Sequence, residues 1–338
     1  MIKVCIIGCG RIFSKHYEAI KLNGKIKITG VFDIDTKKNI KINQKLKTKI
    51  YKNYNDLIKS EKPDLVTILV ESGKHLDICK DVINKNKSIK NFIIEKPIDV
   101  SVKKILEFKK IVKKNKINVF TVKQNRFNDA VIKIKKLIDN NYLGKIFMIN
   151  ASCKWRRDQS YYDQAHWRGK KKLDGGVLMN QAIHHIDLLV YFAGKIENVI
   201  GFGKTRFVDI ESENIAVACL KFKNGCLGTI EATTATSPKD YEGSITIMAE
   251  KATVKIGGFA SNKIEYFESK KKKIDINRYN QKIKNVYGFG HEKFYDYVVS
   301  FLEKKIIKNI FDIDNALESV KIVDKIYKSF NSKKIEKV

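Results

Sequence analysis

The first third of the chain alternates short apolar runs with longer amphipathic stretches. The apolar runs predict strands at residues 2–7, 28–32, 65–70, 91–94 and 117–122. Helical periodicity between them predicts helices, among them residues 12–22, 75–84 and 101–115. Strands that alternate with helices indicate a parallel, doubly wound sheet. Residues 1–122 are therefore predicted to form an α/β domain.

The pattern changes beyond residue 123, where strands follow one another with fewer helices between them. A strand, Asn224-Gly225 and a second strand predict a hairpin within residues 214–236. Other predicted elements are helices at 129–140, 291–303 and 313–330, strands at 145–151, 243–248, 252–256 and 263–267, and an exposed Lys-rich turn at 270–273. We expect residues 123–338 to form an α+β domain with a large, mostly antiparallel sheet.

The turn after the first strand has the glycines of a dinucleotide-binding unit. Gly8 and Gly10 precede a helix, and Asp33 follows the second strand, 23 residues beyond Gly10. Glycines let the backbone approach a pyrophosphate at the helix N-terminus, and the acid accepts hydrogen bonds from the adenosine ribose. This predicts a Rossmann domain that binds NAD rather than NADP, because Asp33 would repel a 2′-phosphate. Phe13 stands where a third small residue is usual.

Several polar residues stand at the carboxyl ends of the predicted parallel strands, where ligands bind in this architecture. We expect these residues to meet in one crevice: Gly8, Asp33, Ser72, Lys96 and Lys123. Lys96, which precedes a proline, could donate a hydrogen bond to a reacting oxygen and stabilise its negative charge. The alternative, in a chain so rich in lysine, is an ordinary surface side chain.

Residues 174–189, DGGVLMNQAIHHIDLL, predict an amphipathic helix that begins right after two glycines. Asn180, His184 and Asp187 are spaced to share one face of that helix. His184 is the preferred general base, because its pKa lies near neutral pH. The alternative is a core histidine bound to its helix neighbours. His185 points off this face and is expected to be structural, and Asp187 either pairs locally or orients His184.

Aromatic and basic residues fill the irregular stretch 154–174. Arg157, Tyr161 and Tyr162 suit a diphosphate or carboxylate and an aromatic platform for a sugar or uracil. Trp167 and Arg168 could pack near a nicotinamide ring. For all five residues a solvated loop is the alternative.

Composition narrows the class of protein. The chain of 338 residues carries a formal net charge of +30, but only seven of its 67 basic residues are Arg, and Lys is spread along the whole length. Nucleic-acid binders concentrate charge on one face and favour Arg, so we expect no nucleic-acid partner.

The cysteines and the N-terminal sequence predict the cellular compartment of the protein. The six cysteines show no metal-ligand spacing, so we expect no metal and a reduced, cytoplasmic protein. No signal peptide or spanning apolar run is present, so no membrane partner is expected. An antiparallel sheet with one open face predicts a homodimer or homotetramer.

Three features together resemble the glucose–fructose oxidoreductase / inositol dehydrogenase (Gfo/Idh/MocA) family: the dinucleotide unit, Glu95-Lys96-Pro97, and the GG…NQAIHHID segment. The resemblance implies that Lys96 and His184 carry hydride-transfer chemistry. Most members have Asp where this chain has Asn180.

Other segments resemble one subgroup, the UDP-N-acetyl-2-amino-2-deoxyglucuronate 3-dehydrogenases of bacterial surface-polysaccharide synthesis: KQNRF (123–127), YYDQAHWRG (161–169), LMNQAIH (178–184) and YEGSITIMAEKATVKIGG (241–258). These enzymes oxidise a sugar 3-hydroxyl to a ketone. A dehydrogenase of a free sugar or inositol, and a non-catalytic ligand-binding protein, are the alternatives.

The resemblance also implies binding roles for individual residues. The substrate-binding residues would be Lys123, Asn125, Arg157, Tyr161, Tyr162 and Asn180. The NAD-binding residues would be Gly8, Gly10, Arg11, Ile12, Asp33, Ser72, His75, Glu95, Lys96, Gln124, Trp167 and Arg168.

Overall fold

A computed structural model describes residues 1–270, 273–283 and 288–338, so residues 271 and 272 of the predicted Lys-rich turn lie outside the described residues. The chain divides into two compact units, Met1–Lys123 with His291–Leu317 (unit 1) and Gln124–Gly290 with Glu318–Val338 (unit 2). The sequence pattern predicts one domain over residues 123–338, whereas residues 291–317 lie in unit 1.

The strands in chain order are β1 (Ile2–Ile7), β2 (Ile26–Phe32), β3 (Leu65–Ile68), β4 (Asn91–Ile94), β5 (Asn118–Thr121), β6 (Ile146–Lys154), β7 (Ile196–Lys204), β8 (Ile215–Phe222), β9 (Leu227–Thr233), β10 (Glu242–Ala249), β11 (Ala252–Gly257), β12 (Lys263–Ser269) and β13 (Glu336–Lys337). The α-helices are α1 (Phe13–Asn23), α2 (Thr36–Leu46), α3 (Tyr54–Glu61), α4 (His75–Lys85), α5 (Val102–Asn115), α6 (Asp129–Asp139), α7 (Gln159–Asp163), α8 (Val177–Asn180), α9 (Ile183–Ala193), α10 (Gly290–Leu302) and α11 (Ile313–Ser332). None of the helices in the described ranges is both long and apolar enough to cross a bilayer.

Unit 1 is built on a parallel sheet with the strand order β2-β1-β3-β4-β5. Its central strands are apolar and buried along nearly their whole length, as expected for a sheet covered on both faces. The predicted doubly wound α/β architecture is confirmed. Helices α2 and α3 were not predicted; side chains of Asp35 and Asn53 cap them by accepting hydrogen bonds from the backbone N–H groups of Lys38 and Asp56.

Unit 2 contains an eight-stranded sheet with the order β12-β11-β10-β6-β9-β8-β7-β13. Neighbouring strands are antiparallel except β6 and β9, so the predicted mostly antiparallel sheet is confirmed. Along β8, Ala216, Ala218 and Leu220 are buried while Val217 and Cys219 are exposed, which is the two-residue alternation of a sheet with one open face. Helix α9 packs against β6 and β10.

The predicted helix after the glycine pair is two helices. α8 ends at Asn180 and α9 begins at Ile183. The break arises because the N–H groups of Gln181 and Ala182 both donate to the carbonyl of Val177, at 3.1 and 2.8 Å, so the hydrogen-bond ladder slips by one residue. The expectation that Asn180, His184 and Asp187 share the face of one continuous helix is therefore wrong for Asn180.

Candidate functional site

The glycine turn of unit 1 has two glycines with different surroundings. Gly8 has φ +96°, and a Cβ there would lie 2.7 Å from the carbonyl carbon of Leu69, so only glycine fits. A Cβ on Gly10 would meet no described atom within 4 Å. Gly10 and Arg11 are exposed, and Ile12 is the half-buried N-cap of α1. The fold therefore requires a glycine at position 8, and the open side at Gly10 leaves room for a ligand.

Asp33 joins the end of β2 to this turn. Its carboxylate accepts hydrogen bonds from the backbone N–H of Cys9 at 2.6 Å and of Asp35 at 2.9 Å. Phe13 is half-buried, and its ring stacks with that of Tyr17 at 6.2 Å between centroids. The acid and the glycine turn therefore lie together at the carboxyl edge of the sheet.

Glu95 and Lys96 follow β4 on the same edge. Glu95 is buried, its Oε1 lies 3.0 Å from His16 Nε2, and its Oε2 accepts the backbone N–H of Lys96 at 2.9 Å. Burial raises the pKa of Glu95, but the His16 and His291 imidazoles outweigh it and hold that pKa well below its usual range. The Glu95 carboxylate thus binds groups within the protein, His16 and the backbone N–H of Lys96. The side chain of Lys96 is half-buried.

His75, Ser72 and Lys123 also lie at this edge. The ring nitrogens of His75 lie 2.9 Å from the Pro97 carbonyl oxygen and 3.0 Å from that of Val70, and burial lowers the pKa of this histidine. Ser72 is buried, and Lys123 Nζ donates to the carbonyl oxygen of Asn315 at 2.9 Å. His75 and Lys123 thus both bind backbone groups within unit 1.

In unit 2, a 3₁₀ turn at Gln124–Phe127 meets helix α9. The amide Nε2 of Gln124 lies 3.2 Å from His184 Nε2. Arg126 donates from Nε and Nη2 to the two carboxylate oxygens of Asp187, at 2.6 and 2.7 Å, and this ion pair is buried. Asn125 is buried in the same turn. Arg126 lies within the KQNRF segment, but no local sequence pattern marks it as the partner of Asp187.

The two neighbouring histidines of α9 occupy different environments. His184 is 8 % exposed, whereas His185 is fully buried, with its ring edge-to-face against Trp155 at 5.9 Å. Burial lowers the pKa of His185 to about 4, so that ring is neutral at pH 7. His185 is therefore a core residue.

Asn180 is half-buried and donates its side-chain N–H to the carboxylate of Asp174. Asp174 is buried, and its other oxygen accepts the backbone N–H of Gly169 at 2.7 Å. No local sequence pattern predicts that Asp174 is the partner of Asn180.

The stretch 154–174 contains helix α7 and a cluster of cations and rings. The guanidinium of Arg157 lies 5.3 Å from the Tyr161 ring centroid, and that of Arg168 lies 4.4 Å from Tyr161 and 4.8 Å from Trp167. Tyr162 is buried, with its hydroxyl 3.0 Å from Thr234 Oγ1, and burial raises its pKa to about 12. Tyr162 thus packs in the core, while the other four residues form one cluster.

A cleft of about 400 Å³ opens beside this cluster. Among its lining residues are Gln159, Tyr162, His166, Arg168, Asp209 and Glu211. Arg168 belongs both to the cation–aromatic cluster and to the lining of the cleft. Because Asp209 and Glu211 also line the cleft, its surface carries both positive and negative charge.

Comparison of the sequence with models of protein families identifies the family of this chain. Residues 2–123 match the model of the oxidoreductase family with an NAD-binding Rossmann fold, and residues 131–255 match the GFO/IDH/MocA C-terminal domain. The chain belongs to the GFO/IDH/MocA family, and it is an NAD-dependent oxidoreductase.

Three individual proteins are similar to this chain over most of its length. The WlbA dehydrogenase from Bordetella pertussis, solved in complex with NADH and UDP-GlcNAcA, is 31 % identical with a TM-score of 0.94, covering 100 % of this chain and 97 % of that one. The WlbA dehydrogenase from Chromobacterium violaceum, solved with the same two ligands, is 30 % identical with a TM-score of 0.91, covering 100 % and 96 %. Myo-inositol 2-dehydrogenase from Thermotoga maritima is 26 % identical over 77 % of this chain and 75 % of its own length.

Proposed function

We propose that this NAD-dependent sugar dehydrogenase oxidises the 3-hydroxyl of a UDP-N-acetylamino sugar to a ketone, with UDP-N-acetylglucosaminuronate as the first candidate. The observation that carries the proposal is the similarity, over the whole length of this chain, to two WlbA dehydrogenases solved with NADH and UDP-GlcNAcA. The reaction would serve bacterial surface-polysaccharide (O-antigen) synthesis. A cytoplasmic location stays a prediction.

The residues of the glycine turn fit the cofactor. The open side of Gly10, the start of α1 and the carboxylate of Asp33 supply the backbone donors and the ribose acceptor that a dinucleotide needs. When bound, NAD would supply the hydride acceptor for the oxidation of the sugar carbon. Gly8, Gly10, Arg11, Ile12 and Asp33 would hold it from unit 1.

Lys96 and His184 would divide the acid–base work. The Lys96 ammonium would donate a hydrogen bond to the sugar oxygen and stabilise its developing negative charge. His184 would take the hydroxyl proton. Gln124 Nε2 lies 3.2 Å from His184 Nε2, so Gln124 would hold the imidazole of His184 in place for this role.

The cation–aromatic cluster would serve both substrate and cofactor. Arg157 offers charge for a diphosphate or carboxylate, and Tyr161 offers a ring for uracil or sugar. Trp167 and Arg168 would pack near the nicotinamide ring of the cofactor. Tyr162 is buried and would support the other residues of the cluster by packing in the core.

Oxidation of a free sugar or inositol is the second candidate, and the similarity to myo-inositol 2-dehydrogenase favours it. A non-catalytic ligand-binding protein would have no need of both Lys96 and His184. The presence of both residues therefore argues for an enzyme.

The test is NADH formation, followed by absorbance, with a panel of UDP-N-acetylglucosaminuronate, UDP-N-acetylglucosamine, UDP-glucuronate, myo-inositol and scyllo-inositol. We expect turnover with the UDP-N-acetylamino sugars, a 3-keto product identified by NMR, and thermal stabilisation of the protein by UDP alone. Turnover of inositols only, without stabilisation by UDP, would contradict the proposal.

A further inference from the structure

Three buried side chains of unit 1, each from a different segment, lie together as potential metal ligands. His16 belongs to α1, Glu95 follows β4, and His291 stands at the start of α10. They are 0, 5 and 3 % exposed, and one ring nitrogen or carboxylate oxygen from each lies within 4.8 Å of the other two. The fold therefore gathers two imidazoles and a carboxylate in one enclosed volume.

His291 is the member of this cluster whose polar atoms the protein leaves unsatisfied. Within the described part of the chain, neither of its ring nitrogens has a hydrogen-bond partner. Its Nε2 lies 3.8 Å from Glu95 Oε1, which is too far for a hydrogen bond. Burying a polar group without a partner costs free energy. A ligand that satisfies a ring nitrogen of His291 would therefore stabilise the fold.

The spacing of the ligand atoms suits a transition-metal ion. Zinc binds imidazole nitrogen and carboxylate oxygen at about 2.0–2.1 Å, so two atoms bound to one tetrahedral ion lie ~3.3 Å apart. Glu95 Oε1 lies 3.0 Å from His16 Nε2 and 3.8 Å from His291 Nε2, on either side of that value. Small movements of these side chains would therefore place the three ligand atoms around one ion.

The other polar atoms of these ligands have partners that would hold them in place. His16 Nδ1 lies 2.8 Å from the hydroxyl of the fully buried Tyr295. Because a hydroxyl can accept as well as donate, it can accept the Nδ1–H that remains when Nε2 binds an ion, as is usual for metal-bound histidines. Glu95 uses Oε2 for the backbone N–H of Lys96 at 2.9 Å, while Oε1 lies near the two imidazoles.

We propose that His16, Glu95 and His291 bind one divalent transition-metal ion, with zinc as the first candidate. Two imidazoles and one carboxylate are ligands that such ions favour. Because all three ligands are buried, the ion would fasten three segments of unit 1 together and take no part in hydride transfer. The expectation of no metal rested on cysteine spacing, whereas this site contains no cysteine and forms only when distant segments meet. The inference is independent of the proposed function.

The test is zinc binding by the full chain, first treated with a chelator that is then removed by dialysis. We expect titration calorimetry and elemental analysis to show one zinc ion per chain, and saturating zinc to raise the melting temperature by ~5 °C or more. His291→Gln should weaken zinc binding by ~10-fold or more and remove most of that rise. His185→Gln, the matched change at another buried histidine, should show the same zinc affinity as the natural protein. His166→Gln, at an exposed histidine, should also leave the affinity unchanged.

X-ray absorption by the zinc-loaded natural protein keeps the test decisive even if His291→Gln does not fold. We expect nitrogen and oxygen neighbours at about 2.0–2.1 Å and the scattering pattern of two imidazoles. A natural protein that binds no zinc would overturn the inference. So would a spectrum without imidazole, or full binding by His291→Gln with loss of binding in His166→Gln, since each shows an adventitious surface ion. None of these measurements uses a sugar, so failure of the proposed UDP-sugar activity remains a separate result.

Discussion

His184 and His185 show how much the role of a single side chain depends on its direction. The two residues are adjacent in α9, yet only His184 contacts the amide of Gln124, whereas His185 is enclosed beside Trp155. Successive residues of a helix point about 100° apart, which is enough to separate a candidate base from a core ring.

We expect His184→Ala to lower kcat by ~10²–10⁴-fold, because a positioned general base is lost. Lys96→Ala should lower kcat by a comparable factor through loss of charge stabilisation. Both variants should still bind NAD. His185→Ala should change kcat by much less and instead reduce stability, because it leaves a cavity beside Trp155. Single-turnover NADH formation measures all three; an inactive His185→Ala with an active His184→Ala would reverse the assignment.

Asp33 should decide the choice of cofactor. Its carboxylate stands beside the glycine turn, where it can bind the ribose hydroxyls of NAD and would repel the 2′-phosphate of NADP. We expect the protein to bind NAD much more tightly than NADP, and Asp33→Ser to reduce that difference. Titration calorimetry with both cofactors measures it, and equal affinities in the natural protein would speak against this role.

At the residue scale, the sequence predicts which positions stand at the strand ends, because glycine and acid spacing report local geometry. It does not predict that Asp187 pairs with Arg126, 61 positions away, or that Lys123 binds Asn315. Such partners are set by how distant segments meet, and no local pattern reports them.

At the scale of elements, strongly periodic segments are predicted and weakly apolar ones are not. The parallel strands of unit 1 and the hairpin at Asn224-Gly225 follow from apolar runs and turn chemistry. The sequence pattern does not predict helices α2 and α3, because α2 buries only the polar residues Asn39 and Asn43 and α3 spans only eight residues; Asp35 and Asn53 cap them. The break between α8 and α9 was missed because the apolar periodicity runs straight through it.

The two glycines of the cofactor turn should respond differently to alanine. Gly8→Ala should destabilise unit 1 by about 2 kcal/mol or more, because it adds left-handed strain and a clash with Leu69. Gly10→Ala should leave the stability of the free protein nearly unchanged and weaken NAD binding. Urea unfolding and NAD titration separate the two effects. Equal loss of stability in both variants would show that Gly10 serves the fold.

Glu213 should make the stability of unit 2 depend on pH. Its pKa rises from 4.5 to about 7 on folding, mainly because it is buried. Its stabilising contribution is therefore complete below about pH 4.5 and is lost as the pH rises through 7. Glu213→Gln carries no charge and avoids this loss, so its stability relative to the natural protein should improve by about 3 kcal/mol from pH 4.5 to pH 8. Urea unfolding at both pH values tests this, and a constant difference would contradict it.

At the scale of the whole molecule, the open face of the unit 2 sheet leaves apolar side chains exposed. Val217 is 47 % and Leu227 is 57 % exposed. Exposed apolar groups on a sheet are commonly covered by a second copy. A homodimer or homotetramer stays our prediction for this chain.

Leu227→Lys should shift the protein towards smaller species, because it places added positive charge on that face. Leu22→Lys is the matched control, since Leu22 is 69 % exposed and belongs to helix α1 of unit 1, not to that sheet. Light scattering at micromolar concentration measures the mass of each. If the natural protein is monomeric at micromolar concentration, the prediction of a homodimer or homotetramer is wrong.

The proposed reaction transfers a hydride to NAD from C3 of a UDP-N-acetylamino sugar. The most direct measurement uses UDP-N-acetylglucosaminuronate labelled with deuterium at C3 and follows the label by mass spectrometry. We predict that the label appears in the reduced cofactor and that the single turnover is slowed, while a substrate labelled at C4 yields unlabelled NADH. Deuterium that remains in the oxidised sugar after reaction of the C3-labelled substrate would show that C3 is not the site of oxidation.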